Sequence, residues 1–406
     1  LTPDPSVPRA VHAEALPAVL RAAGYHTIHV GKAHLAAIGT PAADPRAAGF
    51  DVNIAGHAAG APGSHLGVHH FAAGRRTGSP EKPSVWDVPG LEAYHGQDVT
   101  LSEALTREAI AALRRGVGGG SPVFLHLSHY LVHTPIMPDP RHIDRYAGLD
   151  PIEAAYASMV AAMDDSLVAV LEELDRLGIA ERTLVVFLSD NGGLSALGRG
   201  GPRDTHNAPL SAGKGSAREG GTRVPMLVRW PGVVPAGTRT EQPLIIEDLF
   251  PTLLEAAGVN AATAVHQPVD GRSMMPVLGD PARRLEPAPL IWHLPNNWAA
   301  TGPGYGPASW IRLGRWKLIH YHDPAHEPRI ELFDLAADLG EQVNLAGTHP
   351  AITRRLAAAL TARLQAMDAQ RTVRLDTGEP VAWPDAAVEA WLSAEAAAEV
   401  AAEPAP

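Results

Sequence analysis

TLVVFLSDNGG, residues 183–193, is an uncharged, mostly apolar run that ends in a polar turn rich in glycine. A short continuous run of this kind is typical of a strand in a sheet that is covered on both faces. Such sheets are largely parallel, and helices connect their strands. Ser189, Asp190 and Asn191 then stand just beyond the carboxyl end of the strand, where ligands collect in open α/β sheets.

Helix and strand signals alternate on both sides of this stretch. Leu16, Val19 and Leu20 fall at helical spacing before Gly24, a residue type that favours the end of a helix. The pattern predicts strands at residues 25–30, 123–128, 183–188 and 224–230, helices at 16–23, 101–113, 159–177 and 249–257, and a glycine loop at 116–120. We therefore predict an α/β fold with a large, mostly parallel sheet flanked by helices.

The texture changes near residues 276–290, which are rich in Pro and Arg. Beyond them, three strand signals at 309–313, 316–321 and 330–333 predict an antiparallel set, followed by a helix at 351–367. We predict a large α/β domain over residues 1–280, a smaller α+β domain over 281–370, and an Ala/Glu/Pro-rich tail over 371–406. From about Asp385 the tail reads as a solvated helix with a frayed end.

Composition excludes some classes of function. The formal net charge of −11 argues against a nucleic-acid partner. The absence of cysteine excludes disulfides, thiolate metal sites and a cysteine nucleophile within these 406 residues. No apolar run reaches the length of a membrane span, and no signal peptide opens the chain. Because residue 1 is Leu, localisation stays open between periplasmic, secreted and cytoplasmic. The Ala, Gly, Pro and Arg content is typical of a GC-rich bacterial genome.

Polar residues at predicted strand ends are the candidates for chemistry. Asp190 and Asn191 offer a carboxylate and an amide oxygen, which suit Ca²⁺ or Mg²⁺, although a turn without a ligand has the same sequence. Lys32 and His34 lie two apart and share a face if the strand continues through them. His133 follows another strand end, and glycines expose Lys214. Each of these, judged alone, is also compatible with a structural or surface residue.

Together these segments resemble the sulfatase family, the arylsulfatase branch of the alkaline-phosphatase superfamily. The order and spacing match over nearly all of residues 12–368. The resembling segments are AAGY (22–25), GKAHL (31–35), GFD (49–51), HTP (133–135), MDD (163–165), FLSDNGG (187–193), NAPL (207–210), GKGS (213–216), EGGTRVP (219–225), IWH (291–293), ELFDL (331–335) and EQVNL (341–345).

The resemblance implies a role for each candidate. Asp190 and Asn191 match two ligands of a divalent cation, usually calcium, with magnesium as the alternative. Lys32 and Lys214 match lysines that bind sulfate oxygens. His34 matches a histidine beside the nucleophile that helps the hydrated intermediate collapse, and His133 one that protonates the leaving alcohol. The implied activity is hydrolysis of sulfate esters, with a sulfated small molecule or a sulfated carbohydrate as substrate.

The chain departs from the family pattern at its beginning. The family has an early strand that ends in two aspartates, then Cys or Ser in a Cys/Ser-x-Pro-x-Arg motif that becomes the formylglycine nucleophile. Ser6-Val7-Pro8-Arg9 lacks one residue of that motif, and we interpret it as a chance likeness. We expect the nucleophile upstream of this chain and no activity from the chain as given. Ala33 stands where the family usually has Trp.

Two alternatives remain open from the sequence. One is a phosphatase or phosphodiesterase of the same superfamily, although no convincing set of Asp and His ligands for a second metal is visible. The other is a non-catalytic fragment or a glycan-binding pseudoenzyme, which the missing nucleophile favours.

Overall fold

Helices and strands alternate along most of the chain, and four consecutive strands followed by two long helices form its last part. The computed structural model describes residues 14–194, 207–296, 302, 304–323, 325–374 and 376–402. The strands are β1 (His26–Gly31), β2 (Val52–Ile54), β3 (Val123–Ser128), β4 (Val185–Leu188), β5 (Met226–Arg229), β6 (Leu290–Leu294), β7 (Ala308–Leu313), β8 (Trp316–Tyr321) and β9 (Ile330–Asp334). The helices are α1 (Leu16–Ala22), α2 (Ala73–Arg76), α3 (Leu101–Gly118), α4 (Pro151–Arg176), α5 (Glu219–Thr222), α6 (Leu249–Ala256), α7 (Ala261–Ala264), α8 (Met275–Gly279), α9 (Pro350–Ala366) and α10 (Pro384–Ala402).

Two compact units share these elements. The first unit comprises Leu1–Val185, Val228–Thr240 and Ile245–Arg283. The second unit comprises Val186–Leu227, Glu241–Leu244 and Arg284–Pro406. The predicted strands at 25–30, 123–128, 183–188 and 224–230 correspond to β1, β3, β4 and β5, which differ from the prediction by at most two residues at either end.

The first unit is built on a three-stranded parallel sheet with the order β2-β1-β3. Ile28 and Val30 on β1 are fully buried against Leu105 and Ala109 of α3. Because β1 and β3 run parallel, with Gly31 opposite Ser128, their carboxyl ends lie side by side. This arrangement places the residues that follow both strands at one edge of the sheet.

The strand of the deciding stretch forms a separate sheet. β4 and β5 make a two-stranded sheet, and the side chains of β4 are half-buried. The strand was predicted to be covered on both faces, but it is only half-buried, so this prediction overstated its burial. Its position and its type are confirmed.

The second unit contains an antiparallel sheet with the order β6-β7-β8-β9. Three of these strands were predicted, and β6 was missed because its five residues are isolated between Pro-rich and Gly-rich loops. Helices α9 and α10 cover one face through a core that includes Ile311, Leu318, Leu356, Leu360 and Val388.

Two further predictions need correction. Helix α3 continues through Gly116 and Gly118, where a loop was predicted. Glycine at 116 is required by packing, since a Cβ there would lie 2.9 Å from a methyl of Val123. The helix beginning at Pro384 is not simply solvated, since Val388 and Leu392 are buried against α9.

Helix α4 bears on the predicted absence of a membrane span. Among the residues that the structure describes, it alone is long and apolar enough to cross a membrane by length and composition. This property is weak support for a span, because core helices of soluble proteins share it. Helix α4 packs against α3, and its Ser166 and Glu173 are buried.

The burial of α10 predicts the effect of a core truncation. Val388→Ala should lower the free energy of unfolding by about 2 kcal/mol, through lost burial and a residual cavity. Ser393→Ala on the exposed side of the same helix is the matched control and should change it by less than about 0.5 kcal/mol. Urea unfolding of the two variants makes the comparison, and equal small effects would mean that α10 does not pack on the core.

Candidate active site

The end of β1 sets the position of Lys32. Gly31 has φ 101°, and a Cβ there would lie 2.0 Å from the Ser128 carbonyl oxygen, so the two strand ends approach at a distance that only glycine permits. The backbone N–H of Lys32 donates to that same oxygen at 2.7 Å. Lys32 is half-buried and is the first residue after β1.

His34 leaves the strand in a different way from the one predicted. Strand β1 ends at Gly31 and His34 has φ 51°, in the left-handed region, so strand alternation does not place Lys32 and His34 on one face. The His34 N–H donates to the His57 carbonyl oxygen at 3.0 Å. A Cβ on Gly60 would lie 2.6 Å from Nδ1 of His34, so this glycine leaves the room that the imidazole occupies.

His133 is held by a buried histidine that the sequence did not reveal. Nε2 of His65 lies 3.1 Å from the carbonyl oxygen of His133, and a carbonyl only accepts, so Nε2 carries the proton. Burial lowers the pKa of His65 to about 4. The Nδ1 of His133 lies 3.0 Å from the Thr134 carbonyl oxygen. His65 is therefore a neutral donor that fixes the backbone from which His133 projects.

A half-buried histidine, His129, follows β3 directly. Thr106 Oγ1 donates to the Ser102 carbonyl oxygen, so the Ser166 hydroxyl must donate to Thr106, at 2.5 Å. His129 Nε2 must then donate to Ser166, at 2.8 Å. Burial lowers the pKa of His129 to about 4. The hydrogen-bond order therefore fixes the neutral tautomer of His129 and joins the end of β3 to α3 and α4.

In the second unit, Asp190 and Asn191 follow β4. Asp190 is exposed, and Nδ2 of Asn191 donates to the Gly192 carbonyl oxygen at 3.0 Å, which turns the side-chain oxygen away from that carbonyl. A carboxylate and an amide oxygen at a strand end fit two ligands of a hard cation. No group of three or more His, Cys, Asp or Glu with metal-binding geometry occurs among the described residues, so a full shell needs further donors.

Lys214 is placed by the same turn. Its backbone N–H donates to the Gly193 carbonyl oxygen at 3.0 Å. Asn207 bridges both sides of the loop, because its Nδ2 donates to the carbonyl oxygens of Gly193 and Ala212 at 3.0 Å each. The turn that carries Asp190 and Asn191 and the loop that carries Lys214 are thus one hydrogen-bonded assembly.

This assembly rests on α5. The Gly192 N–H donates to the Gly221 carbonyl oxygen at 2.9 Å, and a Cβ on Gly192 would lie 1.7 Å from the Gly220 carbonyl oxygen. The Gly220 N–H donates to the Ser211 carbonyl oxygen at 2.9 Å. Glycine at these positions is a requirement of backbone contact and does not by itself indicate flexibility.

Helix α5 is fixed by buried charges. Lys317 on β8 is fully buried, and its Nζ lies 2.9 Å from Oε1 of Glu219 and 2.9 Å from Oε1 of Glu341. Oε2 of Glu341 accepts from the Glu219 N–H at 2.7 Å and from the Ser211 hydroxyl at 2.9 Å. Burial works against ionisation of Glu219, but Lys317, Arg223 and Arg312 outweigh it and lower its pKa.

Arg218 completes this buried network. Its guanidinium donates to Oε1 of Glu331 at 2.5 Å and to the Glu341 carbonyl oxygen at 2.6 Å. Burial raises the pKa of Glu331 despite the nearby Arg218. Sequence reasoning missed the whole network, because EGGTR and ELFDL were noted only as resembling segments. The one signal was a lysine within a mostly apolar strand, WKLIHY, where it is the second residue.

The predicted site residues fall into two groups. Lys32, His34 and His133 belong to the first unit, at or after the ends of β1 and β3. Asp190, Asn191 and Lys214 belong to the second unit and share one hydrogen-bonded turn and loop. Ser6-Val7-Pro8-Arg9 lies outside the described residues.

Comparison with known proteins identifies the family. The family model described as Sulfatase matches residues 2–259. The chain belongs to the sulfatase family. A second model, described as N-sulphoglucosamine sulphohydrolase, C-terminal, matches residues 214–370. The α/β fold with a separate carboxyl-terminal region, predicted from the sequence, is confirmed.

The relatives are sulfatases. A sulfatase of Formosa agariphila is 30% identical over 384 residues, which cover 82% of this chain and 65% of that protein. The steryl-sulfatase of Mus musculus is 35% identical over 60% of this chain, but only 40% of that protein is covered. The solved structure of Ps i-CgsB in complex with k-i-k-neocarrahexaose aligns with a TM-score of 0.68 at 26% identity, over 87% of this chain and 74% of that one. The chain thus spans less than two thirds of the length of the Formosa agariphila sulfatase and of the mouse steryl-sulfatase.

The buried network makes Lys317 a sensitive position for stability. Lys317→Met keeps the length of the side chain but leaves the carboxylates of Glu219 and Glu341 buried without their lysine. We expect the free energy of unfolding to fall by about 3–5 kcal/mol. Arg354→Ala, which breaks an exposed pair with Glu389, is the control and should cost at most about 1 kcal/mol. Similar small losses in both variants would contradict the proposed dependence on Lys317.

Burial of His65 predicts acid sensitivity. Its folded pKa of about 4 lies below the ordinary value of 6.5, so the unfolded chain binds more protons between these values. The stability from neutral His65 is therefore present above about pH 6.5 and lost as the pH falls towards 4. His65→Gln should lose less stability than wild type between about pH 7 and pH 5 in urea unfolding. Parallel losses in the two proteins would refute this contribution.

Proposed function

We propose that the protein to which this chain belongs hydrolyses sulfate esters, and that its substrates are sulfated carbohydrates. The observation that carries the proposal is the placement of Lys32, His34 and His133 at or after the strand ends of a sulfatase-family fold. The relative solved with k-i-k-neocarrahexaose supports a carbohydrate substrate. The N-acetylgalactosamine-6-sulfatase of Mus musculus, 28% identical over 74% of this chain, also supports a carbohydrate substrate.

The residues act by charge and proton transfer. Sulfuryl transfer spreads negative charge over the sulfate oxygens and the leaving oxygen, and positioned cations stabilise that distribution. We assign Lys32 and Lys214 to the sulfate oxygens and His34 to proton movement at the nucleophile. His133 delivers a proton to the leaving oxygen. Its Nδ1 lies beside the Thr134 carbonyl oxygen, so Nε2 is the nitrogen that exchanges the proton.

A divalent cation would be held in part by Asp190 and Asn191, whose oxygen donors fit calcium better than a softer metal. When bound, it supplies positive charge that polarises a sulfate oxygen. The formylglycine motif of the family, Cys/Ser-x-Pro-x-Arg, does not occur within the 406 residues. We therefore expect no turnover of an aryl sulfate by these 406 residues alone, and cation-dependent multiple turnover by them would overturn that expectation.

The leaving-group test separates a general acid from a packing histidine, in the complete enzyme. His133→Ala should lower kcat/KM for a sugar sulfate by about 10²–10⁴-fold, because an alkoxide leaves poorly without a proton. A nitrophenyl sulfate should lose much less, because its phenolate leaves unprotonated. Lys32→Ala is the matched comparison and should affect both substrates alike. Equal losses for His133→Ala on both substrates, with a lowered Tm, would reject the general-acid role.

The cation assignment predicts an order of metal loss. Asp190→Ala should abolish tight calcium binding in the complete enzyme, because it removes a charged ligand. Asn191→Ala should weaken binding less, since a neutral oxygen attracts the cation less strongly. Metal content after dialysis measures both. Wild-type calcium content in Asp190→Ala would refute the assignment.

A further inference from the structure

A cleft lies in the first unit, and its lining contains none of the strand-end residues described above. Its volume is ≈ 310 Å³, and residues 70–95 line it. Four basic side chains face it: His70, Arg75, Lys82 and His95. Because the chain carries a formal net charge of −11, an anionic ligand would need local cations of this kind.

Asp87 and Glu92 also line the cleft, but among the described residues neither forms an ion pair with Arg75 or Lys82. Within the part of the chain that the structure describes, the side chains of Arg75 and Lys82 form no hydrogen bond or ion pair. The two acidic residues of the lining are used elsewhere. Asp87 accepts from the backbone N–H groups of Ala73 and Ser84, at 2.8 and 2.9 Å, and Glu92 accepts from that of Gly90 at 3.0 Å.

The two histidines are held in a fixed arrangement. The rings of His70 and His95 stack with their centroids 4.5 Å apart. Nε2 of His95 is buried and has no hydrogen-bond partner among the described residues. A buried nitrogen without a hydrogen-bond partner costs free energy. A polar group of a ligand that reached Nε2 of His95 would remove that cost.

The cleft is joined to the segment that positions His133. Trp86, near the cleft, accepts through its carbonyl oxygen from the Gly63 N–H at 2.5 Å. Arg76, at the end of α2, donates through Nε to the Gly63 carbonyl oxygen at 2.8 Å. Two residues further along the chain is His65, the donor to His133. The cleft wall and the support of His133 are thus one continuous hydrogen-bonded segment.

We propose that this cleft binds a second sulfate group of a sulfated oligosaccharide, at a sugar other than the one whose ester is hydrolysed. Arg75 and Lys82 supply the charge, and Nε2 of His95 donates a hydrogen bond to an oxygen of the same group. The inference rests on the proposed function for its substrate class, but binding to the cleft is measurable without turnover.

The test is a binding experiment on the 406-residue chain. The probes are a hexasaccharide of chondroitin 6-sulfate and the same hexasaccharide after chemical desulfation, which keeps its carboxylates. Calorimetry at low salt should show tighter binding of the sulfated form. Arg75→Ala/Lys82→Ala should raise its Kd roughly tenfold, through loss of charge-assisted hydrogen bonds. Added salt should weaken wild-type binding more than that of the variant.

A matched control removes the same charge elsewhere. Arg46→Ala/Arg107→Ala deletes two exposed arginines that are already paired with Asp44 and Glu103, and it should leave the Kd unchanged. Equal weakening by both double variants would mean that only overall charge matters, and this would overturn the proposal. It would also be overturned if wild type did not bind the sulfated hexasaccharide, or if it bound the desulfated form equally well.

Failure of the two proposals can be told apart. Turnover of a monosulfated sugar by the complete enzyme tests sulfate-ester hydrolysis, and Arg75→Ala/Lys82→Ala should leave that turnover unchanged. Absence of turnover in wild type would reject the proposed function, while the binding measurements would still decide the cleft. A loss of monosulfate turnover in the cleft variant would show that these cations serve the reaction centre, and would overturn the assignment to a second group.

Discussion

The buried contact of Lys317 with Glu219 and Glu341 is the constraint on which the second unit depends. Charges removed from water are costly unless each one is paired, so the network is favourable only when all its members are in place. Glu341 adds hydrogen bonds to a backbone N–H and to Ser211, which leaves few alternative arrangements. The result is a short helix, α5, whose position is set by Lys317, a strand residue more than ninety positions further along the chain.

This constraint reaches the candidate ligands through backbone contact. Gly192 lies against α5 at a distance that excludes any side chain, and the next residue accepts a hydrogen bond from Lys214. Asp190 and Asn191 are therefore positioned by the carboxyl-terminal sheet as well as by β4. The first unit uses a different device. There, the neutral, buried His65 donates to the carbonyl oxygen of His133 and holds the backbone from which His133 projects.

The sequence predicted most of the fold because periodicity reports burial, and burial is what forms strands and helices. β3 was predicted residue for residue, and α9 within one residue at each end. The predictions that failed were those in which distant contacts override a local pattern. The helix at Pro384 looked solvated until α9 covered Val388, and alternation for His34 failed because its backbone turns left-handed after β1.

The candidate site shows the same division between local and distant information. Residue type at strand ends was enough to nominate Asp190, His133 and Lys32. For Lys32 and His133, the parallel pairing of β1 and β3 brings the two strand ends to one edge of their sheet. The supports could not be nominated, because a buried lysine or histidine acquires its role only from partners far away in the chain. Lys317 in WKLIHY is visible as a charge within an apolar strand, yet its meaning lies in Glu219, almost a hundred residues earlier. Supporting residues of this kind are therefore found from contacts, whereas reacting residues are found from chemistry, and both kinds are needed to build a site that holds its geometry.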